Sequence, residues 1–416
     1  MSLIKNNIII LQIIEMNADG FGVAYQDDFP VIVAYSLPGE VIKVKIIEVL
    51  HKYAIAEIIE LIEPSKNRVV APCQYFTKCG GCSLQHLSNH GEYKFALVKS
   101  ALTNIAFFGK LHPIAQISPN SRRRAVFKVN NNKLSFNQYH SKQMVGIAHC
   151  LLLEDPINSL IVPINKLLGK LGIRIELLSV MNSDSGIELL FHSNEKGNLN
   201  SDSILASFAA EHNIARIAWQ FKSQSPFSLI QRVPVQLKFC DFQVDLPINS
   251  FLQVSKESTS LMVEIILEHL IDTKKILELY CGCGSFTIPM STKANVFAVE
   301  GSELAIEALT KAAKKYQLPI QAIKQDLYQN PLPFYRINDY SQVVINPPRN
   351  GASPQIKQIA LSSLVKQVIL VSCSVNNFIR DAKILLNAGF ILAEVYPIDQ
   401  FLYTNHLEII GIFKRI

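Results

Sequence analysis

The stretch Lys275–Met290, KILELYCGCGSFTIPM, contains the signals that decide the fold of this chain. Its first part, Ile276–Tyr280, is a short apolar run, which predicts a strand buried in a sheet. The glycines of Cys281–Gly284 predict a tight turn, and we expect a helix to begin at Ser285. A strand, a glycine turn and a helix N-terminus bring backbone N–H groups close to a ligand, because little side-chain bulk stands in the way.

A second strand follows this turn and ends in an acidic residue. The run Asn295–Val299 is apolar, and Glu300 comes directly after it. A carboxylate at that position can accept hydrogen bonds from ribose hydroxyls. We therefore predict a nucleoside-type pocket at the carboxyl end of a parallel sheet. Gly282 and Gly284 are followed by Thr287 rather than by a third glycine, which argues against an ordinary dinucleotide fingerprint.

Strands and helices alternate from about Asp245 nearly to the end of the chain, which predicts a doubly wound α/β domain. The last two strands lack an intervening helix, so we expect them to pair antiparallel. Ligands of such sheets bind beyond the carboxyl ends of the strands. The strands are predicted at 275–280, 295–300, 320–325, 341–346, 367–372, 390–397 and 406–413. The side chains expected at the binding edge are Tyr280, Glu300, Asp326, Asn346 and Cys373.

Three positions at this edge carry side chains that can take part in chemistry. Cys373 ends the strand QVILVSC and is either core filler or a nucleophile. Glu408, in the otherwise apolar segment HLEIIGIF, is either a general base or a charge that only solvates a strand end. Asn346 precedes two prolines, which either hold its amide towards the pocket or simply stiffen a loop.

The first 62 residues have a different pattern, made of short β-branched runs. Turns are expected at Asp19-Gly20, Asp27-Asp28 and Pro38-Gly39. Five short strands in about 60 residues are typical of a small barrel of the oligonucleotide-binding kind, and a generic β domain is the alternative. The strands are predicted at 8–16, 22–26, 31–35, 41–49 and 53–62.

A cysteine-rich loop follows this β domain. In PCQYFTKCGGCSLQH, Pro72–His86, the cysteines Cys73, Cys79 and Cys82 lie on one glycine-rich segment. Three local thiolates and one distant ligand complete an iron–sulfur cluster or a zinc site, and Cys150 is the best candidate for the fourth ligand. Ordinary buried cysteines are the alternative. The chain has eight cysteines and no recognisable secretion signal, which favours a metal or redox role over disulfides.

Length, charge and hydropathy limit the classes of function. With 416 residues, the chain is long enough for two or three domains. No apolar run is long enough to span a bilayer, and we expect a cytoplasmic protein. The net charge of +6 is a modest bias towards an anionic partner. The run Ser121–Arg124 either contacts phosphate or forms a solvated strand end. Trp219 is expected in the core.

These motifs together resemble the bacterial RNA uracil-5-methyltransferases, most closely the iron–sulfur enzymes that act on 23S rRNA. The resemblance covers nearly the whole chain. LPGE and PSKNRV are similar to segments of the family's TRAM domain, LELYCGCGSF to its S-adenosylmethionine loop, VSCS to the segment of its nucleophile and HLE to that of its base. The implied α/β multidomain fold has an OB-like TRAM RNA-binding β-barrel at 1–63, a central α+β domain with the iron–sulfur loop at 64–245, and a Rossmann-like S-adenosylmethionine-dependent methyltransferase domain at 246–416. A helix expected at 87–108 would pack on the methyltransferase domain.

The resemblance also implies a reaction and the residues that perform it. Cys373 would add to carbon 6 of a uracil, carbon 5 would take the methyl group of S-adenosylmethionine, and Glu408 would remove the proton from carbon 5. The positions that match the family's cofactor site are Gln253, Tyr280, Ser285, Glu300, Asp326 and Asn346. The positions that match its [4Fe-4S] ligands are Cys73, Cys79, Cys82 and Cys150.

Three positions depart from the family pattern. Ser285 stands where the family usually has Asn, Asn346 where it has Asp, and Ser374-Val375 where it has Asn-Pro. Two other functions therefore stay open: an amino-group RNA methyltransferase, which the Asn-Pro-Pro segment favours, and a non-catalytic RNA-binding protein. The expected partner is RNA, with neither DNA nor a membrane, and the expected state is a monomer.

Overall fold

The chain divides into two units. A computed structural model describes residues 3–139, 141–272 and 274–415. In those ranges, none of the helices combines the length and the apolar character that crossing a bilayer requires. The first unit contains Met1–Leu97, Phe136–Val145 and Tyr403–His406. The second unit contains Val98–Ser135, Gly146–Leu402 and Leu407–Ile416.

The β-branched runs of the N-terminal segment form one sheet of the first unit. Its strands are β1 (Ile8–Gln12), β2 (Glu15–Met16), β3 (Gly22–Gln26), β4 (Phe29–Val33), β5 (Val41–Val49) and β6 (Ala54–Glu63). Across the described residues of this sheet their order is β1-β5-β6-β4-β3-β2. The turn expected at Asp27-Asp28 is confirmed, with φ of 50° and 62°. The single strand predicted at 8–16 is two strands, because Ile8–Gln12 pairs with β5 whereas Glu15–Met16 pairs with β3.

The helices and the two central sheets follow. The helices are α1 (His90–Thr103), α2 (Asp155–Lys170), α3 (Leu199–Glu211), α4 (Lys256–Glu268), α5 (Thr287–Ser291), α6 (Glu303–Tyr316), α7 (Phe334–Ile337), α8 (Ser353–Leu361) and α9 (Val375–Asn387). The strands before α4 are β7 (Lys110–Leu111), β8 (Ala115–Gln116), β9 (Arg124–Asn130), β10 (Lys133–Asn137), β11 (Met144–Gly146), β12 (Leu177–Ser183), β13 (Gly186–Ser193), β14 (Ile214–Phe221), β15 (Phe227–Gln231), β16 (Gln236–Phe239) and β17 (Phe242–Asp245). One described sheet has the order β11-β10-β9-β12-β13-β14-β15, and β16 pairs with β17. Trp219, in β14, is 2% exposed, which confirms its place in the core.

The alternating strands and helices of the C-terminal half form the sheet that carries the candidate site. Its strands are β18 (Lys275–Leu279), β19 (Asn295–Glu300), β20 (Ile320–Lys324), β21 (Gln342–Ile345), β22 (Gln367–Ser372), β23 (Phe390–Asp399) and β24 (Glu408–Arg415). In the part that the structure describes, the order is β20-β19-β18-β21-β22-β24-β23-β7, with β8 also on β23. The strands β18 to β22 run parallel, whereas β24 is antiparallel to both β22 and β23. The predicted antiparallel pairing of the last two strands is confirmed.

Both faces of this sheet are covered, which is why its strands read as continuous apolar runs. Successive side chains of β18 point to opposite faces, so Ile276 packs in one apolar cluster and Leu277 in another. Val98 and Leu102 of α1 are buried in the same cluster as Leu277. The helix is shorter at both ends than the predicted 87–108.

Candidate active site

Cys373 and Glu408 lie at the same end of one antiparallel ladder. Ser372, the last residue of β22, is paired with Ile409 of β24. The next position along the first strand is Cys373, and the facing position on the second is Glu408. Glu408 is 3% exposed and Cys373 is partly buried. The strand register therefore brings the predicted nucleophile and the predicted base together.

The carboxyl group of Glu408 is held by a chain of buried amides. Gln400 Nε2 donates a hydrogen bond to Glu408 Oε2 at 2.6 Å and lies 3.4 Å from Gln253 Oε1. Ser258 Oγ donates to Gln400 Oε1 at 2.8 Å, which fixes the orientation of the amide. Burial raises the pKa of Glu408 to about 7, and the bond from Gln400 and the charge of Arg349 oppose that rise. A carboxyl group with a pKa near neutrality is suited to accepting a proton.

Arg349 is the cation whose field acts on both candidate catalytic residues. Burial raises the pKa of the Cys373 thiol to about 11, the charge of Glu408 adds to the rise, and Arg349 lowers it. Arg349 is exposed in the loop after β21. Neither Arg349 nor Gln400 was identified from the sequence. Arg349 follows the Asn-Pro-Pro segment, which is a local signal that could reveal it, whereas Gln400 has no local signal.

The glycine loop has the backbone shape that its sequence predicts. Gly282 and Gly284 have φ of +53° and +97°, and a Cβ at Gly284 would lie 2.6 Å from Leu309 Cδ1. Gly282 N donates to Glu300 Oε2 at 3.1 Å, so the acidic residue binds the loop itself. Helix α5 begins at Thr287, two residues after the predicted Ser285, with Phe286 as its N-cap.

The loop edge fits a nucleoside-type ligand. The space where a Cβ of Gly282 would lie has no heavy atom within 4 Å among the atoms that the structure describes. Nearby, the buried hydroxyl of Tyr280 has no hydrogen-bond partner within the described residues, and burial raises its pKa. A buried hydroxyl without a partner is costly, so a ligand atom that bonds it would stabilise the site.

The remaining predicted cofactor positions follow the strands of the same sheet. Glu300, at the end of β19, also accepts a bond from Ser302 N at 2.9 Å. Asp326 Oδ1 accepts a bond from Tyr328 N at 2.9 Å, just after β20. Asn346, just after β21, donates its backbone N–H to Leu279 O at 3.2 Å, and Ser285 is partly exposed in the turn before α5.

Other ionisable groups lie beneath the glycine loop. Burial raises the pKa of Glu278, in β18, to about 8, and the charge of Glu300 adds to this rise. Burial also raises the pKa of Cys283 to about 11 and that of Cys281 well above its ordinary value. These groups are therefore held in their neutral forms at neutral pH.

One member of the arginine run, Arg123, matches neither of the predicted roles, and a phosphate contact by Arg122 or Arg124 stays a prediction. Arg123 is 4% exposed, with Nε donating to Gln253 O at 3.1 Å and Nη2 to Thr259 Oγ1 at 3.3 Å. Arg124 Nη2 donates to Asn249 Oδ1 at 2.7 Å. A charge run in the sequence does not reveal which of its members is buried. Arg123 therefore supports the backbone of the predicted cofactor residue Gln253 instead of meeting phosphate or solvent.

The predicted iron–sulfur ligands are divided between the two units. Cys73, Cys79 and Cys82 share one loop of the first unit, where Gly80 N donates to Asn137 O at 2.9 Å. Cys150 belongs to the second unit. Over residues 3–139, 141–272 and 274–415, no group of three or more His, Cys, Asp or Glu side chains is arranged to hold a metal ion. The structure does not show the expected cluster, and its ligands stay a prediction.

Comparisons with known proteins define the class of this fold and site. Residues 128–415 match the family described as tRNA (Uracil-5-)-methyltransferase, and residues 12–59 match the TRAM domain. The structure of Pyrococcus abyssi tRNA (uracil-54, C5)-methyltransferase in complex with S-adenosyl-L-homocysteine has a TM-score of 0.78 and 22% identity, over 97% of this chain and 99% of that chain. The fold is that of an α/β S-adenosylmethionine-dependent methyltransferase with an N-terminal TRAM domain made mostly of strands.

Two bacterial relatives extend the similarity over nearly the full length. An uncharacterized RNA methyltransferase of Rhizobium meliloti is 30% identical, over 96% of this chain and 98% of its own length. The 23S rRNA (uracil(1939)-C(5))-methyltransferase RlmD of Acinetobacter baumannii is 28% identical, over 98% of this chain and 96% of its own. The chain belongs to the RNA uracil-5-methyltransferase family and is an enzyme.

Proposed function

We propose that this enzyme transfers a methyl group from S-adenosylmethionine to carbon 5 of a uridine in 23S rRNA, through a covalent bond between Cys373 and the uracil. The observation that carries the proposal is the pairing of a thiol and a carboxyl group at the end of the β22–β24 ladder. An amine methyltransferase needs no cysteine adduct, and a binding protein needs neither group. Both residues border the same sheet edge as the glycine loop.

Each step of the reaction uses one of the two paired groups. Burial raises the pKa of the Cys373 thiol to about 11, and the charge of Arg349 opposes that rise and so favours the thiolate. The sulfur adds to carbon 6, which opens the C5–C6 double bond and makes carbon 5 of the resulting enolate a nucleophile. S-adenosylmethionine, when bound, supplies the methyl group. Glu408 then removes the proton from carbon 5, the C5–C6 double bond re-forms, and the thiolate of Cys373 leaves.

The cofactor would be bound by the residues around the glycine loop. Support for this comes from the open space at Gly282 and from the buried Tyr280 hydroxyl. Glu300, which accepts a bond from Gly282 N, would accept hydrogen bonds from ribose hydroxyls. The amide chain from Gln253 through Gln400 to Glu408 would couple the cofactor position to the base. We propose Ser285, Asp326 and Asn346 as further contacts.

Trapping with 5-fluorouridine-substituted RNA tests this function. Fluorine at carbon 5 cannot leave as a proton, so the covalent complex should persist in a denaturing gel when S-adenosylmethionine is present. Cys373→Ala should form no complex, and the matched control Cys283→Ala should still form it. An amino-group methyltransferase would instead methylate RNA without any complex, and a binding protein would do neither.

The choice of RNA is tested separately. The similarity to RlmD supports a uridine of 23S rRNA, although the family is also described by its tRNA substrates. We would compare 23S rRNA and tRNA, both taken from a strain that lacks this enzyme, as methyl acceptors. Incorporation into tRNA alone would contradict the rRNA assignment but leave the chemistry standing.

We also propose that Cys73, Cys79, Cys82 and Cys150 hold a [4Fe-4S] cluster. The support is donor chemistry alone, since three thiols on one loop are typical ligands of iron–sulfur centres. The side chains as described do not form a metal-holding group, so we assign no step of the reaction to a cluster. Anaerobic purification should yield about four iron atoms per chain. Cys79→Ser should lose them, whereas the exposed-site control Cys240→Ser should keep them, and an iron-poor parent protein would contradict the proposal.

A further inference from the structure

A buried carboxylate fastens the loop after β21 to helix α9. Asp381 is 1% exposed, and its oxygens accept hydrogen bonds from Ala352 N at 2.9 Å and from Ser353 Oγ at 2.6 Å. Arg380 Nε donates to the same carboxylate at 3.0 Å. A buried charge is tolerated only when it is fully bonded. Moving the loop away would therefore leave Asp381 without two of its donors.

The backbone of Arg349 is held by the same helix. Asn377 Nδ2 donates to Arg349 O at 2.5 Å, and Arg380 Nη2 donates to Asn350 O at 3.0 Å. Asn377 and Asp381 are four residues apart, so they lie on one face of the helix. Successive residues of the loop are thus bonded to successive turns of α9.

Helix α9 also begins directly after the candidate nucleophile. Its N-cap is Ser374, whose hydroxyl accepts a bond from Asn377 N, and Cys373 is the residue before it. The thiol therefore lies directly before the start of α9, and the bonds to the loop after β21 lie along the side of the same helix. A regular helix is rigid on this scale, which makes it suited to setting the separation of two groups.

We propose that α9 sets the position of Arg349 relative to Cys373, with Asn377 and Asp381 as positioning residues for the reaction. The catalytic role of this arrangement rests on the proposed function. The position of Arg349 relative to the Cys373 thiol does not depend on it. The side chain of Arg349 is long and exposed, so the place that its guanidinium can reach depends on where its backbone is held.

The position of Arg349 can be measured through the reactivity of Cys373, because two opposite charges act on that thiol. Glu408 on β24 raises the pKa of Cys373, and Arg349 on the loop lowers it. If the loop shifts, the cation moves away while the carboxylate stays. The fraction of thiolate then falls, and the rate at which the thiol reacts with an alkylating agent falls with it.

The experiment uses one variant that changes no charge and one that removes the anchor. Gly351 has φ of +79°, and a Cβ there would lie 2.1 Å from Arg380 Nη2 and 2.9 Å from Asp381 Oδ2, so Gly351→Ala strains the loop at its anchor. Asp381→Asn weakens the anchor itself. Lys383→Ala, on the exposed side of α9, is the matched control.

We would measure iodoacetamide labelling of Cys373 at pH 8.5 by peptide mass spectrometry, with far-UV circular dichroism to verify folding. Both variants should label about threefold more slowly, as a half-unit rise in pKa requires, and the control should label at the parent rate. Methyl transfer should lose kcat while the KM for S-adenosylmethionine stays unchanged.

Unchanged labelling in folded Gly351→Ala and Asp381→Asn would overturn the inference. If Asp381→Asn fails to fold, Gly351→Ala and Asn377→Ala decide the question. Slower labelling in a protein whose methyl transfer does not depend on Cys373 would instead contradict the proposed function and leave the positioning role intact.

Discussion

Two strand ends of the same sheet carry the same residue types and differ in what surrounds them. At the end of β18, Glu278 and Cys281 are buried near the glycine loop, where the Thr287 side chain opposes the rise in the pKa of Glu278 and the charge of Glu300 adds to it. At the end of the β22–β24 ladder, Glu408 is equally buried but receives a bond from Gln400, and Arg349 acts on Cys373 beside it.

This difference separates a structural acid from a candidate base. Burial raises the pKa of both carboxyl groups, to about 8 for Glu278 and about 7 for Glu408. Donors and cations favour the charged form, so they oppose the effect of burial. Residue type and burial alone would make the two sites look alike, and the amide of Gln400 and the charge of Arg349 at Glu408 distinguish them.

The largest expected effect concerns the two cysteine positions. Cys373→Ala should lower methyl transfer by about a thousandfold or more, since the covalent step has no substitute. Cys283→Ala should stay within about tenfold of the parent, because that thiol is 4% exposed and packs in an apolar cluster. Initial rates with tritiated S-adenosylmethionine measure both. Comparable losses at the two positions would remove the distinction between the two strand ends.

The next effect concerns the base. Glu408→Gln should still form the covalent bond to natural RNA but release product about a hundredfold or more slowly, because no carboxylate removes the carbon-5 proton. A protein–RNA complex should therefore accumulate in denaturing gels without any fluorinated base. Rapid release by this variant would assign proton removal to another group.

A smaller effect concerns the amide that bonds the base. Gln400→Leu removes the donor that opposes the rise in the pKa of Glu408, so that pKa should move above about 7. The carboxylate fraction at pH 7 then falls, and the methyl-transfer rate should drop about tenfold there. The rate should recover towards pH 9, which serves as the internal control. An equal loss at both pH values would indicate a packing defect instead.

The last effect is on stability instead of rate and concerns Glu278. Its pKa is raised in the folded protein, so its contribution to stability is fully present below its unfolded pKa and is lost as the pH rises through about 8. Glu278→Gln should therefore gain about 4 kcal/mol over the parent between pH 5 and pH 9. Urea unfolding at the two pH values measures the difference, and a constant difference would contradict the burial of a charge.

Much of the fold could be predicted because its signals are local. Apolar runs and intervening helices located β18 to β24, and glycines with turn residues located the loop at Cys281–Gly284. The predicted bounds of strands were less accurate where pairing with distant strands decides them. The segment 8–16 is an example, because it changes its partner strand partway along.

The candidate site could be predicted only in part. Cys373 and Glu408 follow from motifs at strand ends, and the structure brings them together. Gln400 and the burial of Arg123 could not be predicted, because both depend on partners far away in the chain, at Gln253 and Thr259.

The amino-acid sequence is enough to predict the order of strands and helices, the glycine turn, and the residue types available for a thiol-and-acid chemistry. Periodicity and turn residues act over a few neighbours, so they can be recognised without coordinates. Only the tertiary structure decided which acid has an amide donor, which thiol has a cation nearby, and that α9 holds Arg349. Those properties depend on distance and burial, which arise when segments remote in sequence pack together.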